Sequence, residues 1–244
     1  MRKTLLEIVQ DILNDMDGDQ VNSINDTVES QQVAQIVRSC YEERIANRNW
    51  PHLKKLIQLD HAGELSKPNY LKAPDNLKEL EELQYDVGEG KKQYRRITYK
   101  EPSEFLMFVN MRDSSNPNVL TVQDYTGAEL LIANDKAPTY YTSFDDKHLV
   151  FDSYDANEDD TLKKAKTQCI AYIFPEWTHT DDFIPDLPTE AFPMLVEEAK
   201  SASFFALKQM INDKAEQKAG RQSRWLARKA WSVKGGIIYP NYGR

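Results

Sequence analysis

Residues 3–16 place Leu5, Leu6, Ile8, Val9, Ile12, Leu13 and Met16 at the i, i+3, i+4 spacing of an amphipathic helix, which stops at Asp17-Gly18-Asp19. The polar connector VNSINDTVES follows, with Ile24 as its anchor and Asp26, Thr27 or, later, Ser30 as N-cap of a second helix. That helix carries the stripe Val33, Ile36, Val37, Cys40, Tyr41, Ile45 and runs to Asn49. Pro51 then disfavours helical geometry at Trp50.

From His52 the period changes. LKKLIQLD, NYLKAP, LEELQYDV and QYRRITYK are short, β-branched and aromatic, and are punctuated by Gly, Pro and Asn, which predicts strands. EPSEFLMFVNMR predicts one short helix with Ser103 near its start. VLTVQDYTGAELLIAND resumes the strands, and YYTSF and HLVFDSY flank Asp145-Asp146-Lys147 as a hairpin. TQCIAYIF reads as a buried closing strand. After a proline-punctuated crossing, PMLVEEAKSASFFALKQMINDKAEQ predicts a single helix starting at Thr189 or Pro193. Its face is Leu195, Ala199, Ala202, Ala206 and Met210, widened by Val196, Phe205, Leu207 and Ile211. Gly220 weakens a continuation that Trp225, Arg228 and Trp231 can carry to about Ser232, before Gly235-Gly236.

The expected organisation is an α+β protein: an antiparallel helical bundle from 1–50 and 186–219, a β-rich insertion over 51–185, and an extended basic aromatic docking tail over 220–244. No repeat of solenoid period interrupts it.

Charge sharpens the view of the tail. The 244 residues carry a net −8, yet 217–244 hold seven bases and no acid; the other 216 residues have 24 bases against 39 acids, a net of −15. A basic tail on an acidic body is complementary in sign to other copies of itself, and equally suits an acidic partner or nucleic acid. The candidate docking residues are Arg221, Arg224, Trp225, Arg228, Lys229, Trp231, Lys234, Tyr239, Tyr242 and Arg244, because arginine and aromatic side chains dominate interface energetics. The alternative is packing of Trp225 and Trp231 onto the chain's own helices.

No nucleotide-binding, zinc-protease, nucleophile-elbow or EF-hand motif is present, and no catalytic, cofactor or metal site is expected. His52, His61, His148 and His179 lack metal-ligand spacing and read as loop residues. Asp152, Asp155, Glu158, Asp159 and Asp160 read as a solvated loop or an electronegative surface, and Asp181-Asp182 alone is no nuclease motif. Lys91, Lys92, Arg95 and Arg96, interleaved with Tyr94 and Tyr99, mimic a single-strand nucleic-acid surface; in an acidic domain an edge strand guarded by cations is preferred. Cys40 and Cys169 read as separate buried apolar residues. No membrane span or signal peptide is expected, which points to the cytoplasm as the place of synthesis and assembly.

The segment order, with VNSINDTVES, the second helix ending Arg48-Asn49-Trp50, the hairpin YYTSFDDKHLVFDSYD and the block from Pro185 to about Arg224, resembles the head-to-tail adaptors of short-tailed bacteriophages, the tail tubular protein A family. The resemblance implies a virion protein of the tail or neck without an active site. It implies a ring of about twelve copies beneath the phage portal, extending the channel for genomic DNA without sequence-specific binding and presenting a platform to the nozzle or next tail component. The C-terminal extension then reaches the portal or a neighbouring adaptor. An acidic channel wall suits that task, since it keeps moving phosphates from sticking. The alternative function is a nucleic-acid binding protein using the basic tail.

Overall fold

A computed structural model describes residues 2–88 and 91–232, and the side chains of these up to Ala227. The chain divides into two compact units. One is built from the residues up to Leu53 and from Pro175 onward, the other from Lys54–Phe174.

In the first unit, α1 (Leu5–Asp15) begins at a capping box. The Thr4 hydroxyl accepts the Glu7 N–H at 3.2 Å, and the Glu7 carboxylate accepts the Thr4 N–H at 2.9 Å. Leu5, Ile8, Val9, Ile12 and Leu13 are buried along one face, each such aliphatic contributing about 1.5–3 kcal/mol. α2 (Val28–Ala46) is capped by Thr27, whose hydroxyl accepts the Ser30 N–H at 3.0 Å. It ends three residues before the expected Asn49, and Pro51–Leu53 form a 3-10 turn.

The C-terminal helical segment departs from expectation. One helix was predicted; two are present, α4 (Phe192–Lys208) and α5 (Asp213–Ser232). α4 starts with Pro193 in its first turn, buries Phe192, Met194, Leu195, Ala199 and Ser203, and closes with Gln209 in the left-handed region at φ 52°. Ala206 and Met210, expected on the buried face, are therefore exposed beyond the last packed turn. Asn212 restarts the chain: its side chain accepts the Ala215 N–H at 3.1 Å, an N-cap with Asp213 and Glu216 following in the first turn. α1, α2 and α4 pack on one another, and α5 packs on α4.

Among the described residues, the second unit holds eleven strands and one α-helix. β1 (Lys54–Ile57), β4 (Leu77–Asp86), β5 (Tyr94–Arg96) and β11 (Thr167–Ile173) make a four-stranded sheet in the order β1-β11-β4-β5. β11 is thus an interior strand, and its buried–half-buried alternation puts Thr167, Cys169, Ala171 and Ile173 on the core side. β2 (Asp60–His61), β3 (Tyr70–Lys72), β6 (Thr98–Tyr99), β9 (Tyr140–Thr142) and β10 (His148–Phe151) form a second sheet in the order β2-β3-β10-β9-β6. The β9–β10 hairpin pairs Thr142 with Val150, and Asp146 takes the positive φ of 57° that its turn requires. β7 (Val119–Gln123) and β8 (Glu129–Ala133) are a separate hairpin, and α3 (Pro102–Asn110) packs against β8 and β9. Tyr70, Phe105, Ile132, Phe151 and Cys169 share one hydrophobic core.

The expected fold class is therefore corrected. The chain is a mixed α/β protein in which, among the described residues, five helices accompany sheets of four, five and two strands. A helical bundle with an inserted subdomain does not describe it, because the strand-rich stretch is long enough to build a core of its own and supplies more elements than the helices. Hydrophobic period reveals which residues are strands; it does not reveal how the strands divide into sheets.

Candidate docking surface

α5 carries the described part of the predicted docking residues. Its buried positions Ala215, Ala219 and Leu226 follow helical spacing and face α4. Small residues at 215 and 219 allow the two helices to approach closely. Polar contacts run along the edges of that side: Gln222 Nε2 donates to the Glu190 carbonyl at 3.0 Å, and Lys218 Nζ, from the exposed flank, lies 3.0 Å from Glu197 Oε1.

A second clamp comes from the end of α2. Arg48 Nη2 donates to the carbonyls of Leu226 and Ala227 at 3.3 and 3.2 Å, and its guanidinium lies 5.1 Å from the Trp50 ring centroid. Burial pulls the Arg48 pKa below its ordinary value. Trp50 Nε1 in turn donates to the Arg44 carbonyl at 3.0 Å, satisfying one of the open carbonyls at the end of α2. Arg44 forks onto the Glu198 carboxylate of α4, with Nε to Oε2 at 2.6 Å and Nη2 on Oε1, and that hydrogen bonding raises its pKa. Arg44, Arg48, Trp50, Met194, Ser223 and Leu226 line the cleft these contacts leave.

With one side held, the other side of α5 is presented outward. Lys214, Lys218, Arg221 and Trp225 fall at i, i+4, i+7 and i+11, with Arg224 beside them, and all five are exposed. Among the described residues, Arg221 Nε and Arg224 Nε reach carbonyls of their own helix, those of Gln217 at 3.5 Å and Gly220 at 3.2 Å. Neither forms an ion pair among the described residues. The expected tail start at 220 falls inside this helix. Arg228, Lys229 and Trp231 lie in its last turns, with side chains outside the described residues; Lys234, Tyr239, Tyr242 and Arg244 lie outside them altogether.

The other candidates separate clearly. Asp152 is no solvated carboxylate: it is 1% exposed. Its Oδ1 accepts the Thr139 and Tyr140 N–H groups at 2.9 and 2.8 Å, and its Oδ2 lies 3.0 Å from Arg112 Nη2. Asp159 and Glu158 are drawn to Lys166, at 2.8 and 3.6 Å. Lys91, Lys92, Arg95 and Arg96 are exposed, and β5 is the edge of its sheet. His148 Nδ1 lies 2.7 Å from Asp145 Oδ2, His61 Nε2 is 3.0 Å from the Lys67 carbonyl, and His52 Nε2 is 2.8 Å from the Asp186 carbonyl. His179 is exposed. Cys40 and Cys169 are buried free thiols, and burial pushes both up to about 12.

Sequence reasoning missed the clamp residues Arg44, Arg48 and Glu198. The Arg48-Asn49-Trp50 phrase stood out, but the partner carbonyls lie more than 170 residues away in the chain. Among the described residues no group of three or more His, Cys, Asp or Glu is arranged to hold a metal ion, and no helix is long and apolar enough to cross a membrane. No protein-family model and no curated protein matches the chain.

Proposed function

We propose that the protein is a non-enzymatic assembly component, a head-to-tail adaptor of a short-tailed phage that forms a ring between portal and tail and lines the DNA channel. The observation that carries this reading is α5. One side of the helix is clamped by Arg48, Gln222 and Leu226, while Lys214, Arg221, Arg224 and Trp225, outside that contact, are exposed. A clamped helix loses little conformational entropy on binding, so its side chains are preorganised for a protein surface. The segment resemblance names the setting, and the net −15 outside residues 217–244 suits a channel through which DNA slides.

The test adds purified protein to DNA-filled heads that bear the portal and lack tails. The reading expects stoichiometric joining and a virion location in the neck. Heads that bind none of the protein contradict it. Tight, sequence-independent DNA binding that falls by roughly 10³-fold or more between low and moderate salt favours the nucleic-acid reading instead.

A further inference from the structure

The turn between α4 and α5 exposes apolar residues. Phe205, Met210 and Ile211 are 67%, 60% and 73% exposed, and at the same end of the unit Val28, the first residue of α2, is 71% exposed. Lys208 Nζ lies 3.4 Å from Glu29 Oε1, which ties the end of α4 to the start of α2 and holds these residues together. Large apolar side chains gathered at one end of a unit are the kind of surface that marks an interface.

The rim of that patch is acidic. The Asp17-Gly18-Asp19 turn lies against Glu29, since a Cβ placed on Gly18 would stand 3.5 Å from Glu29 Oε2. Asp17, Asp19 and Asp26 are all exposed, and Asp17 and Asp19 form no ion pair among the described residues. The patch is apolar at its centre, and its edge carries the carboxylates of Asp17 and Asp19, unpaired among the described residues, beside the Lys208–Glu29 pair.

The outward stripe of α5 has the opposite character, with Arg221 and Arg224 beside Trp225, which is 42% exposed. Within one copy Arg221 and Arg224 are carried away from the patch. Helical rise carries Arg224 roughly 16 Å along α5 from Asp213 at the turn, and the clamps on α4 hold the helix in place.

We infer that the occupant of the acid-rimmed patch is the basic stripe of α5 from a second copy of this chain. Arg221 and Arg224 face Asp17 and Asp19, and Trp225 covers the apolar residues of the turn. Because patch and stripe are different surfaces, the contact is head-to-tail, the kind that propagates around a closed ring. This rests on the ring reading above and names the surfaces that would make the ring.

Charge exchange tests it. One variant combines Asp17→Asn with Asp19→Lys, asparagine being chosen because position 17 has a φ of 54°. The other combines Arg221→Glu with Arg224→Glu. Self-association of each full-length protein, and of a one-to-one mixture, is followed by sedimentation at low and high salt. Wild type is expected to associate, each variant alone to associate roughly tenfold or more weakly, and the mixture to recover, since every contact in an alternating ring is then complementary. Ile211→Ser is expected to weaken association without altering its salt dependence. Variants that associate as wild type does overturn the assignment and leave the ring standing on other surfaces; a mixture that fails to recover also overturns it. A wild-type protein that stays monomeric alone and on the portal overturns the assignment and the ring together.

Discussion

Asp181 accepts the backbone N–H of Ile24 on its Oδ1 at 2.8 Å, a contact spanning 157 positions of sequence. The same oxygen takes the Ser23 hydroxyl at 3.2 Å. Around it, the carbonyls of Asp181 and Phe183 accept the N–H groups of Leu6 and Leu5 at 3.2 and 2.7 Å, satisfying open donors at the start of α1. The proline-punctuated crossing therefore stitches α1 to the connector before α2.

Removing that carboxylate leaves the Ile24 N–H without its acceptor. Asp181→Ala is expected to cost about 1–3 kcal/mol of stability, and Asp181→Asn less, because its amide oxygen can still accept. Chemical denaturation of the two variants checks the order.

Arg112 and Asp152 form the buried charged pair of the strand-rich unit. Arg112 Nη1 donates to the Leu131 carbonyl at 3.0 Å and to that of Asp152, so one side chain joins β8 to the segment after β10. Arg112→Ala leaves a carboxylate that is 1% exposed without its cation. It is expected to destabilise by about 3–5 kcal/mol. In a double-mutant cycle with Asp152→Asn, the double variant is expected to lose less than the sum of the singles.

Gly220 lies inside α5, and a Cβ built there meets nothing within 4 Å. Gly220→Ala is expected to stabilise by roughly 0.5–1 kcal/mol, seen as a higher melting temperature. If α5 ended before this position, the substitution would have no such effect.

Asp86 gives a dependence on pH. Its Oδ1 accepts the N–H groups of Gln93 at 2.7 Å and Gly88 at 3.2 Å, and these bonds, the Gln93 one foremost, hold its pKa below the ordinary 3.8 despite burial. A depressed carboxylate pKa contributes stability that is complete above about 3.8 and is lost as pH falls through the folded value. Asp86→Asn is therefore expected to flatten the loss of stability below pH 4 and to leave the slope near neutrality unchanged. Gly88→Ala is expected to disrupt the same turn, since its Cβ would lie 1.7 Å from the Lys91 carbonyl oxygen.

Local signals were legible where one residue decides the outcome. Thr27 caps α2, Asp146 turns the β9–β10 hairpin, and Pro193 opens α4. The break after α4 was not, because Leu207, Met210 and Ile211 continue the apolar rhythm through it and the left-handed position is filled by Gln209 rather than glycine. Asn212 followed by Asp213 and Glu216 was the signal that could have revealed the second start. Asp152 was read as solvated because its partner lies 40 residues earlier. The fold class failed for a related reason: alternation marks a strand, while the pairing of β11 between β1 and β4 is a long-range fact. Of α5, the basic character was legible, and the contacts that hold it against α4 and the end of α2 were not.

The central claim is that the chain assembles by docking rather than by catalysis, and the mass of its complex with the cognate portal ring tests that most directly. The account predicts a discrete species with about twelve copies of the chain on each portal ring, weakened when Arg221 and Arg224 are both replaced by glutamate. A portal ring whose mass is unchanged by an excess of the wild-type protein would contradict it.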